Sequence, residues 1–413
     1  MLSECLVIGQ PDLTSVVAGK APTSTDIGNP TAVAFDSKGD LWVSDSTNNR
    51  VLEYTPPLTT GEAASIVIGQ TSLSGTGYSS PAGSLFGPTG LAFDSSGHLW
   101  VVDSGDNRIL RFNAPFKDGE NASLVLGQPT FGGYIGQTTK DGLNSPAYIA
   151  FDPASPASGS LWVTDEGNNR VLEYTAPFST GEKASIVVGQ YNFTSSNPGS
   201  GNINLFGPQG IQFDSKGNLW VADAANHRIQ EYPFYSLIGS GQAASVSLGT
   251  STTSRVAGVY AIAFDGSGNL WVSDGINGVG EYVAPVLPGE GIIQVIGGPK
   301  STSTTSTTTA TAGSALRGPQ GIAFDSSGNL WVADYNHGRV LEFSSGVVST
   351  STSSSSSTTT TSTSSVVPVF PYQFLVATMF TLLLMASYVL LRRRATATRR
   401  SSKLDSPRSR SHK

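Results

Sequence analysis

Short apolar runs separated by tight polar breaks dominate the chain, and no helical period occurs before residue 374. In the segment 318–343 the runs read "GIAFD", "NLWVAD" and "RVLEF", each bounded by Gly, Asn, Asp or Ser. Runs of this composition predict three short strands joined by turns. The inner runs are apolar at nearly every position, whereas a sheet with one solvated face would show alternation. We therefore expect both faces of each sheet to be buried.

This segment recurs six times along the chain, and each copy holds one of the six tryptophans: Trp42, Trp100, Trp162, Trp220, Trp271 and Trp331. In five copies a fourth apolar run follows, at 65–70, 123–128, 185–190, 245–249 and 292–297. Six units of four antiparallel strands predict an all-β fold, the six-bladed β-propeller. The tryptophans are expected to pack between neighbouring blades.

The sixth copy lacks its fourth strand, because the chain passes from "RVLEF" into a Ser/Thr-rich stretch. The segment "SECLVIGQ" at 3–10 resembles the fourth strands of the other units. We predict that this N-terminal strand pairs in the last blade and closes the ring. Closure leaves only short, protected sheet edges. The propeller is then expected to span residues 1–345 and to be monomeric.

The repeated pattern "P.GIAFD…GNLWVAD..N.RV..F" resembles the NHL repeat and covers about residues 3–343. The resemblance implies a six-bladed propeller. It does not select one activity, because proteins with these repeats include ligand-binding modules, nucleic-acid binders and a few enzymes.

Two aspartates recur in every unit. The first follows strand one, at Asp36, Asp94, Asp152, Asp214, Asp265 and Asp325, and the second follows strand two, at Asp45, Asp103, Asp165, Asp223, Asp274 and Asp334. A structural role is favoured over calcium binding, since Asp at a strand end accepts hydrogen bonds from turn N–H groups. In five units the second Asp precedes an arginine by five residues, an expected ion pair: Arg50, Arg108, Arg170, Arg228 and Arg339. Unit five lacks this arginine, so its blade is expected to be the least regular.

The loops from each fourth strand to the next first strand are mostly long and rich in Gly, Ser and Thr. Loops of this kind on a rigid scaffold commonly carry function. The residue five before each first Asp is expected at the channel mouth on this side: Thr31, Thr89, Ala147, Gln209, Tyr260 and Gln320. This neutral, hydrogen-bonding set favours a module that binds a protein, peptide or glycan over a catalytic centre.

The resemblance to six-bladed enzymes implies two metal alternatives, a channel calcium held by Asp, Asn and Glu in lactonases, or a zinc held by several His in amidating lyases. The propeller contains three histidines, and His98 is expected to be a turn residue. His227 and His337 belong to blades that are not neighbours, and a third ligand is missing. We therefore predict no cofactor or metal, and keep a lyase or lactonase with channel calcium or zinc as the alternative. Catalytic residues are not assigned.

The net charge of −6 divides into +8 for residues 392–413 and −14 for the residues before them. Nucleic-acid binding needs clustered Lys and Arg, so the acidic body argues against it. The single cysteine, Cys5, excludes an intrachain disulfide. Two sequons are candidates for glycosylation, at Asn121 and Asn192.

The C-terminal region changes composition three times. Residues 346–371 contain a run of Ser and Thr that predicts a disordered stalk, and residues 372–391 form an uncharged segment long enough to span a bilayer as a helix. Residues 392–413 are basic and are expected on the cytoplasmic side. The order of "VPVFP", apolar helix and basic cluster is similar to prokaryotic and archaeal C-terminal sorting signals. These features predict a single-pass protein of the cell membrane with its propeller outside.

The start "MLSEC" lacks the regions of a signal peptide, so the export signal is expected upstream or in the C-terminal helix.

Overall fold

A computed structural model of the protein describes residues 2–15, 22–77, 81–153, 159–237, 239–249, 258–276, 278–288, 290–298, 307–309 and 315–345. The predicted stalk, membrane helix and basic tail, residues 346–413, lie outside the described residues. Within the described residues, no helix is long and apolar enough to cross a membrane.

The strands follow the predicted order, beginning with β1 (Leu2–Ile8). Blades one and two contain β2 (Pro30–Phe35), β3 (Leu41–Asp45), β4 (Arg50–Tyr54), β5 (Ile66–Ile68), β6 (Pro88–Phe93), β7 (Leu99–Asp103), β8 (Arg108–Phe112) and β9 (Leu124–Leu126). Blades three and four contain β10 (Pro146–Phe151), β11 (Leu161–Asp165), β12 (Arg170–Tyr174), β13 (Ile186–Val188), β14 (Pro208–Phe213), β15 (Leu219–Asp223), β16 (Arg228–Tyr232) and β17 (Val246–Leu248). Blades five and six contain β18 (Val259–Phe264), β19 (Leu270–Asp274), β20 (Gly278–Tyr282), β21 (Gln294–Ile296), β22 (Thr307–Thr309), β23 (Pro319–Phe324), β24 (Leu330–Asp334) and β25 (Arg339–Ser345).

Short 3₁₀ turns follow the second strand of five blades, at Ser46–Asn48, Ser104–Asp106, Glu166–Asn168, Ala224–Asn226 and Tyr335–His337. A further 3₁₀ turn, Phe234–Ser236, follows the third strand of blade four.

The blades form a closed ring around a channel. Each sheet is antiparallel over its first four strands, with the first strand at one edge. The first strands contact one another in turn from β2 to β6 and onward, and β23 of the last blade contacts β2. The free edges of these innermost strands therefore surround a central channel, as the six-bladed prediction requires.

The closing strand is confirmed. Strand β1 pairs antiparallel with β25 from Leu2 opposite Ser345 to Ile8 opposite Val340, with a bulge between Glu4 and Leu6. This gives the last blade the order β1-β25-β24-β23. Val7 and Ile8 are fully buried, so these two residues of the closing strand belong to the core of the propeller.

The core lies between neighbouring blades and is divided into six clusters. Each tryptophan meets the edge of a phenylalanine from the next blade, as Trp42 meets Phe93 with ring centroids 5.8 Å apart. The last of these contacts joins Trp331 of blade six to Phe35 of blade one at 5.7 Å. This T-shaped geometry suits the charge distribution of aromatic rings, and the predicted packing of the tryptophans is confirmed.

Two details differ from the prediction. The fourth strands of blades one to five have three residues rather than five or six, and a glycine with positive φ ends each of them, as at Gly69 (φ 90°) and Gly189 (φ 87°). Blade five carries a fifth strand, since β22 pairs parallel with β21 within a segment that was predicted to be loop. The open outer edge of β21 supplies the hydrogen-bonding groups for this addition.

Candidate ligand-binding face

The loops from fourth to first strands and from second to third strands share one end of the propeller, which we call the channel-side face. Beneath it lie five buried ion pairs between the second aspartates and the predicted arginines: Asp45–Arg50 (2.8 Å), Asp103–Arg108 (2.6 Å), Asp165–Arg170 (2.7 Å), Asp223–Arg228 (2.6 Å) and Asp334–Arg339 (2.8 Å). The predicted pairing is confirmed. In blade five, Gly278 stands opposite Asp274 instead.

These ion pairs hold the loops of the channel-side face. The second oxygen of each aspartate accepts a backbone N–H from the preceding loop, as Asp103 Oδ1 does from Phe86 at 2.6 Å. The guanidinium group of Arg170 donates to the carbonyl oxygens of Thr139 and Gly142, both at 2.9 Å. Hydrogen bonds to buried charged groups are stronger than those between neutral groups. The ion pairs therefore hold the long loops in place.

Asparagines in the second-to-third turns link one blade to the next. Asn49, Asn107 and Asn169 each adopt φ 54°. Their side-chain oxygens accept a backbone N–H of the following loop, as Asn169 does from Gly207 at 2.9 Å. Asn tolerates this left-handed conformation better than most residues. In blade four, His227 occupies the same position with φ 54°.

The first aspartates cap the turns after strand one. Asp94 Oδ1 accepts the N–H groups of Ser96 at 2.9 Å and His98 at 3.0 Å, and its Oδ2 accepts Nε1 of Trp100 at 2.9 Å. Asp214, Asp265 and Asp325 bond in the same way. These are the predicted turn interactions, and in these four blades the aspartate also accepts a hydrogen bond from the tryptophan.

His98 and His337 replace asparagines in structural hydrogen bonds. His98 Nδ1 lies 2.9 Å from Asp94 Oδ2, which confirms the turn role, and His337 Nδ1 lies 2.8 Å from Asp334 Oδ2. Among the residues that the structure describes, no group of three or more His, Cys, Asp or Glu side chains is placed to hold a metal ion.

The residues predicted at the channel mouth lie at the start of the first strands. Thr31 is buried and donates to the carbonyl oxygen of Pro88 at 2.9 Å, and Thr89 donates to that of Pro146 at 3.5 Å. Ala147 is buried and Gln320 is half-buried. The two threonines thus join neighbouring blades, while their part in ligand binding stays a prediction.

Gln209 and Tyr260 are half-buried at the same level of the first strands. Gln209 lies beside the carboxyl group of Glu166, in the turn of blade three, and lowers the pKa of that group. The ring of Tyr260 lies over Gly275, where a Cβ atom would be 2.4 Å from the ring. Both side chains therefore sit beside the second-to-third turns, on the channel-side face.

A tyrosine that the sequence interpretation missed closes the channel. The cavity below it measures about 390 Å³ and is walled by the six first strands. Tyr148 reaches across the cavity from blade three and donates its hydroxyl to the carbonyl oxygen of Thr31 in blade one at 2.8 Å. Its ring packs against three of the six core clusters. Tyr148 therefore blocks entry from the channel-side face.

A comparison of the six repeats distinguishes Tyr148 from the equivalent residues of the other units. Four residues before each first Asp the side chain is small except in unit three: Ala32, Gly90, Tyr148, Gly210, Ala261 and Gly321. A Cβ at Gly321 would lie 2.5 Å from the Cα of Ala32 in the next blade, so close approach of the strands requires glycine there. One bulky residue in such a ring has room only toward the channel.

Glu166 is a second residue that was missed. It is half-buried, and it follows the second Asp of blade three, where other units have Ser46, Ser104, Ala224, Gly275 and Tyr335. Burial raises the pKa of its carboxyl group, and the hydrogen bond from Gln209 opposes that rise. A carboxyl group near the mouth therefore keeps its proton at a higher pH than an exposed glutamate.

The raised pKa of Glu166 predicts a specific pH dependence. The folded state binds this proton more tightly than the unfolded state, so stability falls as pH rises from the ordinary value of 4.5 through the folded pKa. In Glu166→Gln this loss is absent, and we expect the Tm of the variant to rise relative to the parent as pH increases above the ordinary pKa of 4.5. Calorimetry at a series of pH values measures it.

Gln209→Ala provides the opposite test, because removing the hydrogen bond raises the pKa of Glu166 further. Its Tm should fall more steeply with pH than that of the parent. If the Tm changes with pH in the same way for the parent, Glu166→Gln and Gln209→Ala, the raised pKa assigned to Glu166 is contradicted.

Exposed apolar side chains lie on the channel-side face. They occur in the fourth-to-first loops and in the turn of blade five: Phe86, Tyr134, Ile135, Phe206 and Ile276. The ring of Phe86 lies over Gly105 and is 56% exposed. Apolar side chains that a rigid scaffold holds in water are typical of interaction surfaces.

The closed ring of four-stranded sheets defines the protein as a six-bladed β-propeller. The sequence profile described as "NHL repeat" matches residues 28–54, 87–112, 207–232 and 316–343. The chain thus contains NHL repeats, as its sequence pattern predicted.

Comparison with curated proteins gives no match. Among solved structures, the chain is similar to a catalytically inactive virginiamycin B lyase from Staphylococcus aureus with quinupristin, at 18% identity and a TM-score of 0.46, over 77% of this chain and 83% of that chain. It is also similar to a gluconolactonase from Xanthomonas campestris, at 15% identity and a TM-score of 0.48, over 83% of this chain and 99% of that one.

Proposed function

We propose that the protein is a surface-anchored binding module whose channel-side face engages a protein or peptide ligand outside the cell. The observation that carries this proposal is the set of exposed apolar residues, including Phe86, Ile135 and Phe206, on loops that buried ion pairs hold in place. Preorganised loops lose little conformational freedom on binding, which favours affinity.

The closed channel bears on the kind of ligand. Because the ring of Tyr148 crosses the channel, a ligand at this face lies across the loops rather than inside the cavity. Ile135 and Ile276 offer aliphatic surface, which suits the side chains of a peptide better than a sugar. We therefore favour a peptide segment of a partner protein and treat a glycan as the competing outcome.

Anchoring is part of the proposal. Residues 372–391 would span the membrane, 346–371 would act as the stalk, and 392–413 would stay in the cytoplasm. The acidic propeller would then face the outside as a monomer, without nucleic acid as a partner. Asn121 and Asn192, the candidate glycosylation sites, are exposed. Protease treatment of intact cells, which should cleave the propeller but spare the tail, tests this orientation.

The binding test pairs the purified protein with peptide and glycan arrays, followed by affinity measurement on the best hit. We expect the double variant Phe86→Ser/Phe206→Ser to weaken binding by about tenfold or more, as for the loss of central aromatic contacts. The matched control is Phe234→Ser/Leu287→Ser, since both residues are equally exposed but follow third strands at the opposite end. Equal effects of the two double variants would refute the proposed face, and binding to glycans alone would refute the peptide ligand.

The second candidate function is an extracytoplasmic enzyme of the lyase or lactonase type with a channel metal. It is favoured by Glu166, a half-buried carboxyl group beside Gln209 at the mouth. Metal analysis of the purified protein distinguishes the two functions. Stoichiometric calcium or zinc that is lost in Glu166→Ala would support the enzyme and contradict the binding module.

A further inference from the structure

A second cavity lies at the seam between blades six and one, at the end of the propeller opposite the channel-side face. It measures about 460 Å³. Its walls come from the strand-one turns of both blades, from Leu6 of the closing strand and from the loop that carries Leu58. We call this cavity the seam pocket.

The corresponding seams of blades one/two and two/three are filled by a phenylalanine. Phe116 stands edge-on to Trp42 at 4.8 Å and to Phe93 at 6.3 Å. Phe178 repeats this arrangement with Trp100 at 4.9 Å and Phe151 at 6.4 Å. Each ring belongs to the loop after the third strand and covers the tryptophan of the preceding blade.

The seam of blades six and one has the same aromatic pair but, among the residues that the structure describes, no third ring. Trp331 and Phe35 lie 5.7 Å apart at 68°, close to the geometry of the other seams. The position of Phe116 and Phe178 is occupied by Leu58, which packs only partly buried against this cluster. A branched aliphatic side chain covers less area than a phenyl ring, and the pocket opens beside Leu58 at the edge of this cluster, while the indole of Trp331 itself is only 2% exposed. Phe35, Leu58 and Leu6 form the apolar part of its wall and offer surface to an aromatic ring.

The rim of the seam pocket is acidic. Among the described residues, Asp36, Asp325 and Glu342 line it together with one lysine, Lys38, whose side chain is 74% exposed and whose amine lies 3.9 Å from Asp40. Burial raises the pKa of Glu342, and the neighbouring charge of Asp325 raises it further. A positive charge placed here would relieve this repulsion.

We propose that the seam pocket binds an arylalkylammonium compound, with its phenyl ring against Phe35 and Leu58, and its ammonium group between Glu342 and the strand-one aspartates. The ring would cover this seam as Phe116 and Phe178 cover the seams of blades one/two and two/three. The site is separate from the channel-side face, so its occupancy does not depend on the function proposed for that face.

The test uses the full chain and 2-phenylethylammonium as the probe, with binding followed by saturation-transfer NMR and thermal shift. Phenylacetate has the same ring with the opposite charge, and we expect it to bind at least about tenfold more weakly. Leu58→Phe should abolish binding and raise the Tm, because the added ring fills the space. Glu342→Gln should reduce the preference for the amine severalfold while the protein stays folded.

Phe116→Leu is the matched control, because it copies the seam of blades six and one at the seam of blades one and two. This variant should gain a second binding site, and the number of probe molecules bound per chain should double. Equal binding of the probe by Leu58→Phe and the parent, or equal affinity for phenylacetate, would overturn the proposal. Unchanged stoichiometry in Phe116→Leu would overturn the assignment of the site to the missing ring.

Discussion

Removal of residues 1–8 is expected to lower the free energy of unfolding by several kcal/mol. The deletion takes away the whole of β1 and its antiparallel pairing with β25. Val7 and Ile8 are fully buried, and burial of each such side chain contributes roughly 1.5–3 kcal/mol. The loss is large against a typical total stability of about 5–15 kcal/mol. Denaturant and thermal unfolding of the truncated and parent proteins measure it.

A synthetic peptide of residues 1–15 provides the control for this deletion. Added to the truncated protein, it should restore much of the lost Tm, because the edge of β25 is then open to strand addition. The same peptide with Val7→Asp and Ile8→Asp should not, since it places charges among buried contacts. A truncated protein as stable as the parent, or equal rescue by both peptides, would contradict the role of β1 in closing the ring.

The fold was predictable because each blade is specified locally. The Trp motif, the two aspartates and the following arginine recur in register, so one interpretation of a strand applies six times. The missing strand of unit six could be found by counting, and β1 fills it. Exact strand ends were less predictable, because a glycine such as Gly69 ends a strand through its backbone conformation rather than its hydrophobicity.

The candidate site was less predictable because it depends on differences between blades. The repeat identifies equivalent positions in each blade, such as Thr31 and Thr89. The candidate site depends instead on single residues that differ from the repeat. Tyr148 closes the channel only because its five counterparts are small, and Glu166 matters only through its contact with Gln209 in the next blade. Strand β22 pairs in parallel with β21, and no local sequence pattern specifies such a pairing.

Replacement of Arg170 by methionine is expected to cost about 3–5 kcal/mol, the range for removing one partner of a buried ion pair. Both Asp165 and Arg170 are fully buried, with Nε and Oδ2 2.7 Å apart. Methionine fits the apolar part of the side chain but leaves the carboxylate without its counter-charge. The control is Lys38→Met, the same kind of change at a pair 3.9 Å apart whose lysine side chain is 74% exposed, where the expected cost is about 0–1 kcal/mol.

The pH dependence of Arg170→Met identifies the cause of this loss. Burial raises the pKa of Asp165 and Arg170 opposes the rise, so removing the arginine raises the folded-state pKa further above the unfolded value. The variant should then regain stability relative to the parent as pH falls through that raised pKa, since the protonated carboxyl group no longer needs a counter-charge.

Amide hydrogen exchange provides the second readout. In Arg170→Met it should become faster in loops 129–145 and 191–207, because Arg170 donates hydrogen bonds to carbonyl groups of both loops. A cost equal to that of Lys38→Met, with no pH dependence and no faster exchange, would show that the ion pair does not fix the channel-side face.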